Sequence, residues 1–199
     1  MPRTTLRVLV AAGLVVAPSL ALAHPGHGAE FGLAAGLAHP WSGVDHMLAM
    51  TAVGLLAARL GGRALWAVPM AFLGLMALGA IVSAAGLSLP FAEAAIALSV
   101  AVFGFAIAAR IAPPVVAAMA LVGVFAVFHG HVHAGEMPAN ASALAYGIGF
   151  LAATAVLHGV GIGVGLVLDN VQPVLQRRAV RVCGMAIGVL GIGLVLGAI

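Results

Sequence analysis

The chain has 199 residues, of which 64% are hydrophobic and only 7% charged, against roughly 25% charged in an ordinary soluble domain. Eight arginines, no lysine and five acids cannot clothe a chain of this length in a polar shell, which excludes a water-soluble globular protein and makes lipid the solvent. The net charge of +3 comes from arginines scattered between long apolar stretches, so they read as topology signals and nucleic acid is excluded as a partner.

The first 23 residues carry a basic start (Arg3, Arg7), an apolar run over 8–16, Pro18, and Ala21-Leu22-Ala23 immediately before His24. That is the layout of a cleaved secretory signal, so the mature domain is expected to be 24–199, starting outside the cytoplasm. Six apolar segments follow: 44–60, with a broken prelude at 31–37, then 65–85, 91–111, 115–132, 141–168 and 180–199. A membrane-spanning helix needs about 20 residues, and in hydrocarbon every backbone group must be bonded internally. The expected fold is therefore all-α, a polytopic bundle of six transmembrane helices after the signal peptide.

The arginines test this topology. With the mature amino terminus outside, inward ends follow segments one, three and five, where Arg59 and Arg63, Arg110, and Arg177, Arg178 and Arg181 lie. The expected external loops, 84–93 and 130–140, contain no arginine, as the positive-inside bias requires. Both mature termini are then expected to be external. The lone Cys183 sits in an apolar segment and reads as a small packing residue. Gly159, Gly161, Gly163 and Gly165 in segment five, and Gly184, Gly188, Gly193 and Gly197 in segment six, predict close packing of those two helices.

With sides assigned, seven of the eight histidines and four of the five acids collect at the outer face. Ionisable groups in or near membrane segments mark an ion or substrate path. The first constellation is His39, Asp45 and His46, with Pro40 and Gly43 interrupting the helix so that His39 folds back towards Asp45 and His46; Met50 lies one turn beyond. A broken helix beside ligands is how many transporters build a site. Asp45 as a plain helix cap satisfied by His46 is the competing reading. The second constellation is His129, His131, His133 and Glu136. On one helix 129, 133 and 136 share a face and His131 points away, which makes His133 and Glu136 the preferred ligands and His129 the next. Gly130 and Gly135 warn that the helix frays there.

Glu93, three residues after Pro90, either complements a helix dipole or lines the path. His24 and His27 form a scavenging arm, with Glu30 a solvated neighbour. His158 reads either as a packed, hydrogen-bonded histidine or as an inner relay, and Asp169 as a loop residue. Imidazole and carboxylate together suit borderline divalent ions such as nickel, cobalt and zinc. No phosphate-binding loop is present, and the serines and the two aspartates form no protease constellation, so an enzyme is not expected. A metal sensor or delivery protein, or a membrane haem protein, is the alternative to transport.

The order HPWSGVDHMLAM (39–50), AVGLLAARLGGRALWAVP (52–69), FHGHVHAGEMP (128–138) and ATAVLHGVGIGVG (153–165) resembles the HupE/UreJ family of bacterial membrane proteins over essentially the whole mature chain. The resemblance implies a nickel permease, or for some members a cobalt permease, of the inner membrane, associated with hydrogenase or urease gene clusters. Ni2+ or Co2+ would be the transported substrate, with no resident cofactor. Its functional positions fall on His39, Asp45, His46, Glu93, His133 and Glu136, with Phe72 as a family aromatic. Ala134-Gly135 departs from the family's glycine directly after the histidine. The 39–46 stretch is also similar to the signature of another nickel and cobalt transporter family. The implied partners are the metal ion and the lipid bilayer, with a homo-oligomer left open.

Overall fold

The computed structural model describes residues 28–198. The expected signal peptide and the expected arm of His24 and His27 lie outside the described residues. The described chain is all-helical: α1 (Gly28–Ala38), a 3-10 turn (His39–Trp41), α2 (Val44–Leu60), α3 (Ala64–Ala84), α4 (Ala92–Ala108), α5 (Val115–Gly135), α6 (Ala143–Asp169) and α7 (Pro173–Val195). The punctuation expected from glycine and proline ends these elements. Gly61 and Gly62 turn with positive φ, as only glycine does without strain. Pro114 precedes the first residue of α5 and Pro173 opens α7, where a missing N–H costs nothing.

Seven α-helices stand where six segments were expected, because 31–37 is part of a helix of its own. Pro40 and Gly43 break it from α2, and the two axes meet at 78°. Helices α3, α5, α6 and α7 are long and apolar enough to cross a membrane, and α1 with α2 makes a fifth when the bent pair counts as one span. Helix α4 is apolar but has 17 residues, about 25 Å at 1.5 Å per residue. Large apolar side chains such as Phe91, Val116, Leu144 and Val182 stand on the outside, the surface that lipid requires.

Two close approaches position the site. A Cβ on Gly54 of α2 would meet the carbonyl of His158, and one on Gly161 would meet that of Thr51, so α2 and α6 touch backbone to backbone. Likewise Gly130 of α5 lies on the carbonyl of Met76 in α3. Some glycines of α6 and α7 thus do pack closely, but not against each other: Gly161 and Gly165 of α6 rest on α2, and Gly184 and Gly191 of α7 on Ala108 and Ala101 of α4, while Gly159, Gly163 and Gly197 face open space. Small residues fix how near two helices come, not which two. Cys183, expected inside, is exposed on α7.

The ends of the bundle differ in charge. One end carries Arg59 in the last turn of α2, Arg63 just before α3, Arg110 just after α4, and Arg177, Arg178 and Arg181 in the first three turns of α7. Arg59 Nη1 donates to the carbonyl of Ile107 at 3.0 Å, tying the ends of α2 and α4 together. The other end gathers the α1–α2 corner, the α3–α4 loop and the α5–α6 loop, where the histidines lie.

Candidate metal centre

The α1–α2 bend is the first device of the site. Swung out on the 3-10 turn, His39 does not fold back onto Asp45 and His46 as expected. It reaches the end of α5 instead: its Nε2 lies 2.9 Å from Glu136 Oε2 and 3.3 Å from His133 Nδ1. Asp45 stays at the start of α2, where its carboxylate accepts the backbone N–H of His46 at 2.7 Å, although the cap position itself is Gly43. His46, one residue later, points into the bundle and is fully buried.

Helix α5 is the second device. It runs unbroken through Gly130 and ends at Gly135, with Glu136 as its carboxyl-terminal cap. The 129, 133, 136 face turns inward as the helical spacing requires. His131 turns the other way and donates its Nε2–H to the Leu87 carbonyl at 2.7 Å. Glu136 Oε2 accepts from His133 Nδ1 at 2.7 Å, and His133 Nε2 lies 3.1 Å from His46 Nδ1. The His133 hydrogen bond, foremost, holds the half-exposed Glu136 carboxyl below its ordinary value of 4.5, with the His39 contact adding to it against the opposing effect of burial.

Two groups of ligand atoms result, each with all members within 4.8 Å of one another: His39, His133 and Glu136 at the mouth, and His46, His129 and His133 beneath it. His133 belongs to both. Two nitrogens each about 2.1 Å from one ion stand roughly 3.0 to 3.4 Å apart between right-angled and tetrahedral geometry, and the 3.1 Å between His46 and His133 falls in that interval. That spacing is compatible with one shared ion and is also that of the hydrogen bond between the two rings.

The supporting shell fixes ring orientation. Ser99 Oγ donates its only proton to the Ile96 carbonyl at 2.6 Å and lies 3.0 Å from His129 Nε2. Ser99 must then accept from His129, which places the His129 proton on Nε2 and leaves the Nδ1 lone pair free. That Nδ1 is buried and has no hydrogen-bond partner among the described residues. Thr154 Oγ1 of α6 stands 3.2 Å from His46 Nε2, and Tyr146 Oη donates to the His133 carbonyl. Phe150 packs its ring against His39, His46 and His133, with centroids 5.7, 5.0 and 5.3 Å away. Such outer partners hold ligand rings in register for a metal.

Of the residues singled out in the sequence, His39, His46, His129, His133 and Glu136 are brought together. Asp45 and Glu93 lie outside both ligand groups. Glu93 is exposed and shares with Glu136, His131, Ser83 and Phe91 a cavity of about 590 Å³ at the mouth. Met50 is buried in the core, and His158 lies deeper on α6 with its ring 5.3 Å from that of Phe72. Sequence reasoning missed Ser99, Thr154, Tyr146 and Phe150. The signals available were a hydroxyl amid the apolar 91–111 segment, and Thr154 one turn before His158 on the same helical face.

The description HupE / UreJ protein belongs to a family model that matches residues 12–194 of this chain. Protein HupE of Rhizobium leguminosarum bv. viciae is 45% identical over 180 residues, which cover 90% of this chain and 92% of that protein. No solved structure matches the chain significantly. A membrane-type helical bundle with its histidines gathered at one end, matched by this family over nearly its full length, identifies the chain as a member of the HupE/UreJ family.

Proposed function

We propose that the chain is a multi-pass permease of the bacterial inner membrane that admits a divalent transition metal ion, nickel first and cobalt second, from the periplasmic side. The observation that carries this reading is the position of His133 in both ligand groups. An ion held at the mouth by His39, Glu136 and the Nδ1 side of His133 moves inward to His46, His129 and the opposite nitrogen of the same ring, Nε2, so His133 offers one donor to each position and the ion passes from one to the other around its ring. Asp45 and Glu93 act as entrance carboxylates ahead of this exchange. A donor set of imidazoles with one carboxylate suits nickel, cobalt and zinc over the hard ions magnesium and calcium.

Orientation follows from the arginines, which put the opposite end in the cytoplasm. The six-crossing topology then counts α1 and α2 as one broken span and α4 as a short one, with both mature termini periplasmic. A divalent cation moving inward through 100 mV gains about 4.6 kcal/mol, at 2.3 per charge, so the membrane potential suffices to drive accumulation.

The test is reconstitution of the full mature chain in liposomes, with an inside-negative potential and Ni2+, Co2+, Zn2+ and Mg2+ offered separately. Potential-dependent uptake of Ni2+ and Co2+ well above Mg2+ is expected, with an Asp45→Asn variant slower than wild type. Binding in detergent with no uptake under any potential would instead establish a metal sensor or delivery protein.

A further inference from the structure

We propose that His158 is a separate inner station for the transported ion, a single buried imidazole that receives a divalent transition metal from His129 before release towards the arginine end. This rests on the permease reading above.

His158 is 1% exposed, and both of its ring nitrogens lack a hydrogen-bond partner among the described residues. No protein group among the described residues supplies the hydrogen bonds of a packing role. Buried side-chain nitrogens are nearly always paired, and one left bare calls for an explanation beyond packing. A leucine would fill the same space without desolvating two polar atoms. What the imidazole offers that leucine lacks is a ligand lone pair.

Its position fits a transfer route. Thr154, which supports His46, and His158 are four residues apart on α6, so His158 lies on the same face about 6 Å further along. His129 is one turn beyond His133 on α5 in the same inward direction, and its Nδ1 lone pair is bare. The ring of Phe72 on α3 packs against both imidazoles, 5.6 Å from His129 and 5.3 Å from His158. The bare Nδ1 of His129 and the unpartnered ring of His158 thus flank one apolar side chain, with no acid beside either to hold a cation tightly. A lone imidazole binds a borderline ion weakly, and conduction requires binding weak enough to let go. The contact of the His158 carbonyl with Gly54 fixes the backbone of this turn against α2.

The experiment uses the full mature chain with His158→Leu and His158→Gln, measuring Ni2+ uptake in proteoliposomes, Ni2+ affinity in detergent by calorimetry, and the melting temperature. The leucine variant is expected to melt at or above wild type and to bind Ni2+ at the upper cluster with near wild-type affinity. Its uptake is expected to fall at least about tenfold, as losses of metal-site residues do. Wild-type uptake by a folded leucine variant would show that His158 only packs, and would overturn the inner station while leaving the permease intact. If the leucine variant does not fold, the glutamine variant is judged by the same uptake criterion. Absence of uptake of any ion by wild type would sink the permease reading itself, and the station with it.

Discussion

The two ligand groups make opposite demands on an ion. The mouth group contains a carboxylate that is half exposed to solvent and two imidazoles, one of them partly exposed. The lower group is three buried imidazoles with no acid. A charged, wet site attracts cations from a distance and is screened by salt. A dry site of neutral nitrogens attracts nothing from afar, and selects by ligand chemistry and geometry instead. Under the permease we propose, their difference amounts to a division of labour: the carboxylate would collect and the buried nitrogens choose, with His133 joining the two steps.

The largest effect is expected from His133→Ala, which breaks both groups at once. Ni2+ affinity measured by calorimetry should fall by more than about 100-fold, above the range for outer-shell changes. A smaller loss would mean that His46 and His129 hold the ion without the shared ligand. Next come Ser99→Ala and Thr154→Val, which leave every ligand in place but free the His129 and His46 rings. A decrease of about 10- to 100-fold in affinity is expected, confined to the lower group, so the salt dependence of binding should not change.

Gly130→Ala addresses the frame. Its Cβ would strike the Met76 carbonyl, and overpacking of this kind costs about 1–3 kcal/mol. A lowered melting temperature is expected, together with weaker binding in both groups, because α5 carries residues of each. Loss in one group alone would show that α5 does not position them as a unit.

The smallest effect belongs to Glu136→Gln, at an exposed position where screening limits what one charge contributes. Affinity should drop a few-fold at low salt. The pH dependence has a definite sign. A carboxyl whose pKa is depressed on folding stabilises the fold fully above its ordinary value, and that contribution is lost as pH falls through the depressed one. The advantage of wild type over the variant in melting temperature should therefore be lost below the ordinary 4.5, as the carboxylate takes up its proton. An advantage that persists undiminished at still lower pH would contradict the carboxylate's bond to His133 as the cause.

Much of this arrangement was legible in the sequence, and the illegible part has a common cause. Helical spacing put 129, 133 and 136 on one face and turned His131 away, because that depends only on 3.6 residues per turn. Gly61-Gly62, Pro114 and Pro173 marked element ends through their own backbone restrictions. What spacing cannot supply is the partner across a helix interface. His39 reaches Glu136 rather than Asp45 because of a 78° bend, and the close-packed glycines of α6 and α7 found α2 and α4 instead of each other. Ser99 and Thr154 became meaningful only once α4 and α6 stood beside the histidines they support.

The most direct test of the shared imidazole cluster is X-ray absorption at the nickel edge on the loaded protein. A first shell of nitrogen and oxygen at about 2.1 Å with the outer scattering of at least two imidazoles is expected, and that imidazole signal should diminish in the loaded His39→Ala and His46→Ala variants. A shell of oxygen alone, without imidazole scattering, would contradict the account.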